Sequence, residues 1–358
     1  MVHPRPGSET SGKKKKATAR AATPGKSTAA ETIAASRARA SARWRAKDRM
    51  LADLHLHFEG SVPRETLVAI ARRNAHAFGV EGAFERALAN SRRSGSFLRL
   101  FADCCRLFSS PADYAEAARA LCRALAAELA HAEIYVSPEI WSRFGLDPES
   151  VLRAIDAAFA AVEEETGSRF VLLLDSVRQW GADSAHRVLD LHEKTGIGRV
   201  RGFGIGGEED AIPASAFTAV YERARRLGLG TSIHAGEWSG AESVAAALDA
   251  LPLDRIDHGV RAADDPAVLS RLASSGVAIC AAPSSNLSTG VYASWREHPL
   301  PRLLEAGVRV CLSADDPTIF GTSTSAEYES ARNAFDLAEE VIESMRRTAW
   351  EARFGGGG

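Results

Sequence analysis

The chain predicts an α/β fold of the (β/α)8 TIM-barrel type, and three observations predict it. Short apolar runs of strand length recur along the sequence, with amphipathic helix-length segments between them. Residues able to hold a metal or move a proton stand at the C-terminal ends of those runs, where such a barrel carries its chemistry. The length of 358 residues falls within the roughly 200 to 400 of a single barrel domain.

The elements follow in order. Residues 1–47 are read as a disordered basic tail and residues 48–354 as the barrel. The first 50 residues carry 13 Lys/Arg against three acids (Glu9, Glu31 and Asp48), in a filler of Ala, Ser, Thr, Pro and Gly. Such a segment has too little apolar surface to pack. A solvated extension, or a true start at Met50, is favoured over a transit peptide or a polyanion tether. Strands are then predicted at Met50–Leu56, Ala132–Ser137, Arg169–Asp175, Val200–Ile205, Gly228–His234, Arg255–His258, Val277–Ala281 and Val308–Ser313. The intervening helices include Pro148–Glu165, Ala182–Lys194, Pro213–Leu227, Ala241–Leu251, Asp265–Ser274 and Pro301–Ala306. Pro148, Pro213 and Pro301 suit first-turn positions, where a missing N–H costs nothing. Gly196, Gly228, Gly276 and Gly307 read as C-terminal stops. One interval breaks the rhythm. Pro63 to Ala130 is far longer than a βα connection and reads as a helical insertion after strand 1, placed to cover the chemistry as a lid.

Composition excludes several classes. In residues 51–358, 31 Lys/Arg face 43 Asp/Glu, so the barrel is acidic and no specific nucleic-acid binder. No apolar run approaches the ~18 residues of a membrane span and no signal-peptide core is present, so a cytoplasmic protein without membrane contact is expected. Cys104, Cys105, Cys122, Cys280 and Cys311 form no CxxC pair and read as reduced, buried thiols.

Four motifs carry the chemistry: HLH at 55–57, HAGE at 234–237, DHG at 257–259 and SADDP at 313–317. His55 and His57 are two residues apart, so a strand points them to one face. With His234 and Asp315 they supply three imidazoles and a carboxylate, a set suited to Zn²⁺ or a similar ion with one position left for water. A metal there would lower the pKa of that water toward neutrality. His258 can hold or deprotonate it. Glu237, dry and hence raised in pKa, can donate a proton to a ring nitrogen. Asp316 has a free carboxylate for a heterocycle, and Gly206 and Gly207 leave room for backbone N–H groups to approach a flat ring.

The stretches LADLHLHFEGS, SIHAGEWSG, RIDHGV, APSSNLSTG, HPLPRLLEAGV and LSADDPTIFGTS together resemble the adenosine deaminase family of the amidohydrolase superfamily, in order over nearly all of residues 50–350. The resemblance implies one Zn²⁺ per chain, held by His55, His57, His234 and Asp315. It implies hydrolytic loss of the 6-amino group of a purine as ammonia. Glu237 would protonate N1, His258 would orient the hydroxide, Asp316 would bond N7 and the Gly207 amide would bond N3. Glu59 would lie toward the sugar end. There are departures: Tyr135 replaces a frequent arginine, Ala282 a frequent cysteine, and RGFGIGGEED a commoner IDLAGDE. FGIGGEE, with LLLDSVRQWG before it, resembles deaminases of 6-amino-6-deoxyfutalosine. The expected substrate is therefore a small-molecule purine nucleoside, adenosine or 6-amino-6-deoxyfutalosine, with free adenine poor. Arg92, Arg93 or Arg99 would meet a carboxylate at its far end.

The alternatives are an adenine deaminase, a catalytically silent metal-binding scaffold, and a binuclear hydrolase. The last would usually want a bridging lysine at the end of strand 4, and the only lysine in residues 51–358 is Lys194.

Overall fold

The computed structural model describes residues 51–94 and 97–355; the predicted tail lies outside them. Eight strands form the barrel: β1 (Leu51–His57), β2 (Leu129–Val136), β3 (Arg169–Val177), β4 (Val200–Gly206), β5 in two pieces (Gly230–Thr231 and His234–Ala235), β6 (Arg255–His258), β7 (Ala278–Ala281) and β8 (Arg309–Leu312). All neighbours pair in parallel and in chain order. A parallel bridge between Leu56 and Asp315 brings the chain after β8 against β1. There the His57 N–H donates to the Asp315 carbonyl at 3.0 Å, and the Asp315 N–H to the His55 carbonyl at 3.1 Å. This closure carries three of the expected metal ligands with it: His55, His57 and Asp315.

Two strands depart from expectation for local reasons. β2 begins at Leu129 rather than Ala132, because His131 is buried against the Glu133 carboxylate at 3.0 Å and so continues the strand. β5 divides because its bonding partners change along it. The Ser232 N–H donates back to Phe203 of β4, and the Ile233 carbonyl accepts forward from Asp257 of β6. The single apolar run from Gly228 to His234 hides that switch.

The helices stand where periodicity puts them: Pro148–Thr166, Gly181–Thr195, Thr218–Arg226, Ala241–Ala250, Pro266–Ser275 and Leu300–Glu305. Asp147 and Asp265 cap two of them through backbone N–H groups. Gly196, Gly228, Gly276 and Gly307 all take positive φ after their helices. The insertion forms the helices Arg64–Arg73, Ala83–Ser94, Phe97–Cys105 and Pro111–Ala126. No helix among the described residues is long and apolar enough to cross a membrane.

The foot of the barrel is sealed by Phe354. The guanidinium of Arg255, fully buried, lies 3.6 Å from its ring centroid and 2.6 Å from the buried Glu133 carboxylate. A side chain on Gly202 or Gly230 would fall inside the van der Waals envelope of that ring. Phe354→Ala should therefore lower stability by about 3–5 kcal/mol while leaving kcat unchanged, since the seal lies at the face opposite the strand ends. Urea unfolding and steady-state rates check this; a drop in kcat at unchanged stability would show that Phe354 serves the site instead.

Candidate active site

At the upper face the strand ends converge on one point. The Nε2 atoms of His55 and His57 lie 3.2 Å apart, those of His55 and His234 3.0 Å, and those of His57 and His234 3.2 Å. Asp315 Oδ1 is 3.5 Å from His55 Nε2 and 3.4 Å from His57 Nε2. Bonds of 2.0–2.2 Å to a shared cation would set ligand spacings of about 3.0–3.6 Å. Burial pushes all three imidazoles down, His57 to about 3. Neutral rings with nitrogen facing nitrogen cannot satisfy one another through hydrogen bonds alone, and a cation among them resolves the conflict. The four residues thus fit a divalent metal.

Asp257, also fully buried, underlies this cluster. It accepts from Tyr135 Oη at 2.6 Å and Ser232 Oγ at 2.8 Å, with His234 Nδ1 at 3.8 Å and His55 Nδ1 at 4.0 Å. Its charge is placed to strengthen the imidazoles as donors to a cation. Tyr135, the residue that replaces a frequent arginine, packs inside the barrel against His57, ring centroids 5.3 Å apart.

Above the cluster opens a cavity of about 500 Å³. His258, Glu237, Asp316 and Gly207 all line it. His258 Nε2 is 3.5 Å from Glu237 Oε2 and 3.8 Å from Asp315 Oδ2. Burial, followed by the charge of Asp315, holds the Glu237 carboxyl well above its ordinary range. Asp316 is raised by the same two causes. Asp316 lies so close over Gly60 that any side chain there would collide with it. Gly207 takes φ +100°, and a Cβ on it would meet Gln179 Oε1 at 2.5 Å. His258 and Asp315 themselves hold left-handed backbones, φ +62° and +61°, an uncommon state for residues with side chains and one that clusters at working sites.

Glu59 stands apart. It is buried below the cavity wall, with Tyr114 and Trp141 facing it, and does not line the cavity. The insertion does reach the cavity, through the helix Phe97–Cys105, and the exposed Arg99 stands on its wall. The side chains of Arg92 and Arg93 lie outside those described.

Two residues escaped the sequence reading. Asp175, two residues before the end of β3, lines the cavity and keeps Oδ1 without a hydrogen-bond partner while Ser137 Oγ donates to Oδ2 at 2.9 Å. The strand-end rule that singled out His234 would have found it. Glu209 follows β4 and accepts from the backbone N–H groups of Gly236, Glu237, Trp238 and Ser239 and from Ser243 Oγ. It therefore holds the loop that carries Glu237. Arg178 ties the same loops together, donating to the Glu209 carbonyl at 2.7 Å and the His234 carbonyl at 2.6 Å.

The family model for adenosine deaminase matches residues 51–355. An adenine deaminase of Rhizobium meliloti (strain 1021) is 37% identical over 309 residues, covering 85% of this chain and 93% of its own. The crystal structure of an adenine deaminase from Arthrobacter aurescens superposes with a TM-score of 0.80 at 30% identity, over 86% of this chain and 94% of its own. An amidohydrolase from Burkholderia ambifaria, solved with bound Zn, shares the fold with a TM-score of 0.80 at 23% identity, over 93% of this chain and 90% of its own.

Proposed function

From the membership of this chain in the adenosine deaminase family, as a metal-dependent hydrolytic deaminase acting on purines, we propose that it converts adenine to hypoxanthine and ammonia, with one Zn²⁺ held by His55, His57, His234 and Asp315. The observation that carries the choice of adenine is the likeness to adenine deaminases at 37% and 30% identity over most of both chains. The burial of Glu59 supports it: the carboxylate expected to meet a sugar is not among the residues that line the cavity. The nucleoside expectation thus gives way to the alternative.

A divalent cation held by His55, His57, His234 and Asp315 would supply Lewis-acid chemistry, making water a competent nucleophile near neutral pH. The chain's own groups do the rest. Glu237, whose carboxyl is held well above its ordinary range by burial and the Asp315 charge, delivers its proton to N1 and makes C6 electrophilic, and its carboxylate then carries the proton lost by the attacking water to the departing amine, which leaves as ammonia. Asp316, also held protonated, donates to N7, and the Gly207 N–H donates to N3. His258 holds the attacking oxygen on the face opposite the leaving amine.

A 6-aminopurine carrying a substituent at N9 is a second reading, favoured by one observation. The cavity of about 500 Å³ lies in the range that houses drug-sized ligands and exceeds what a bicyclic base fills. An absorbance assay across adenine, adenosine, 2′-deoxyadenosine and 6-amino-6-deoxyfutalosine decides between them. Adenine is expected to give the highest kcat/KM by at least tenfold; a nucleoside in first place would overturn the adenine reading and leave the deaminase chemistry intact.

A further inference from the structure

The geometry points to a hydrogen-bond relay, running from the Leu300 backbone through His298 and Asn286, that fixes His258 with its proton on Nε2. The relay starts from a group whose role is not adjustable. A backbone N–H can only donate, and that of Leu300 is 3.2 Å from His298 Nδ1. His298 Nδ1 is therefore an acceptor, and the neutral ring carries its proton on Nε2. The ring is neutral because burial pushes it down to about 4.

From there each step follows from the last. His298 Nε2 lies 3.2 Å from Asn286 Oδ1, so the amide oxygen faces His298 and the amide nitrogen faces the other way. Asn286 Nδ2 lies 3.2 Å from His258 Nδ1. An amide NH₂ only donates, so His258 Nδ1 accepts and the proton of the neutral imidazole sits on Nε2. That nitrogen is the one turned toward Glu237 and Asp315 and into the reaction space. His258, Asn286 and His298 are 1%, 0% and 3% exposed, and Tyr292, Trp295 and Phe335 pack around the His298 ring. Solvent water has no access to reverse the direction of the chain.

The consequence is a division of labour. Sequence alone allows His258 either to hold the attacking oxygen or to deprotonate it. With Nε2 already protonated it has no lone pair toward that oxygen; it donates a hydrogen bond and aims the oxygen at C6. Asn286 and His298 are positioning residues, acting through His258 and touching no substrate. This assignment rests on the deaminase reading only for its kinetic consequence; the tautomer is a property of the folded chain.

Full-length, Zn²⁺-loaded protein labelled with ¹⁵N-histidine tests it by NMR, which distinguishes protonated from bare ring nitrogens. The expected wild-type result is His258 with Nε2 protonated and Nδ1 bare. Asn286→Asp presents an oxygen that accepts, so His258 Nδ1 gains a proton; kcat should fall about 10- to 100-fold with KM and metal content nearly unchanged. His298→Gln keeps a donor toward Asn286 and should retain the wild-type tautomer and most of kcat. A wild-type His258 with its proton on Nδ1 overturns the relay whatever the variants do, and so does an Asn286→Asp protein that folds and keeps the wild-type signature. Loss of adenine deamination with the tautomer as expected would instead count against the substrate reading.

Discussion

Alanine in place of His55, His57, His234 or Asp315 is expected to remove metal and activity together. Each contributes one of the four donors to a cluster whose spacings are 3.0 to 3.5 Å, so losing any one weakens the hold on the cation and alters the coordination on which the chemistry depends. Wild-type protein should carry one metal per chain by elemental analysis, and each variant well under half of that. The variants should also lose the stabilisation that metal binding adds to the native state, which grows as RT ln(1 + [metal]/Kd). His258→Ala is the informative control. Its ring nitrogen lies within ligand distance of His55 and His234, yet the assignment here makes it no ligand, so this variant should keep its metal while losing rate. A metal-free His258→Ala protein, or wild type with two stoichiometric metals, would redraw the centre.

Glu237→Gln should separate binding from chemistry. The amide keeps the size of the carboxylic acid and can still donate a hydrogen bond to N1, but it cannot surrender a proton. Metal content and adenine binding should survive, and kcat should fall by about 10² to 10⁴, the usual contribution of a positioned general acid. Equilibrium binding of a non-reacting purine, measured beside steady-state kinetics, makes the split visible. A Gln variant retaining most of its kcat would mean that the proton comes from elsewhere in the cavity, and the partnerless Oδ1 of Asp175 would be the first place to look.

The parts of this site that local pattern reveals are those lying at strand ends. An apolar run closing on HLH, HAGE or SADDP marks a barrel position by itself, because period-two strands and C-terminal stops are local properties, and the structure puts those residues at one centre. What local pattern cannot reveal are contacts made across the fold. Glu209 reads as one acid in a run of acids; only the folded loop shows four amide groups turned toward it. Asn286 and His298 lie in the stretches APSSNLSTG and HPLPRLLEAGV, but only the fold brings them into line with His258. The resemblance puts Glu59 toward the sugar end, but it sits in the short helix Phe58–Ser61, buried, and is not among the residues that line the cavity. Substrate size is the property least visible in sequence, since it depends on how far the helix Phe97–Cys105 stands over the cavity.

The seal at the barrel foot bears on how the molecule comes together in time. Strands β1 to β4 pair in chain order and all of them precede Arg255. Phe354 follows every strand, yet it sits against Gly202, Gly230 and Arg255 in the middle of the chain. While the chain is being synthesised, the Arg255–Glu133 pair must wait, open to water from below, until the residue that covers it arrives. The upper face, with its metal-binding histidines, is complete once Asp315 has docked beside β1. A nascent chain can therefore possess its chemistry before it possesses its stability, and whatever protects it in that interval must shield the foot of the barrel, not the mouth.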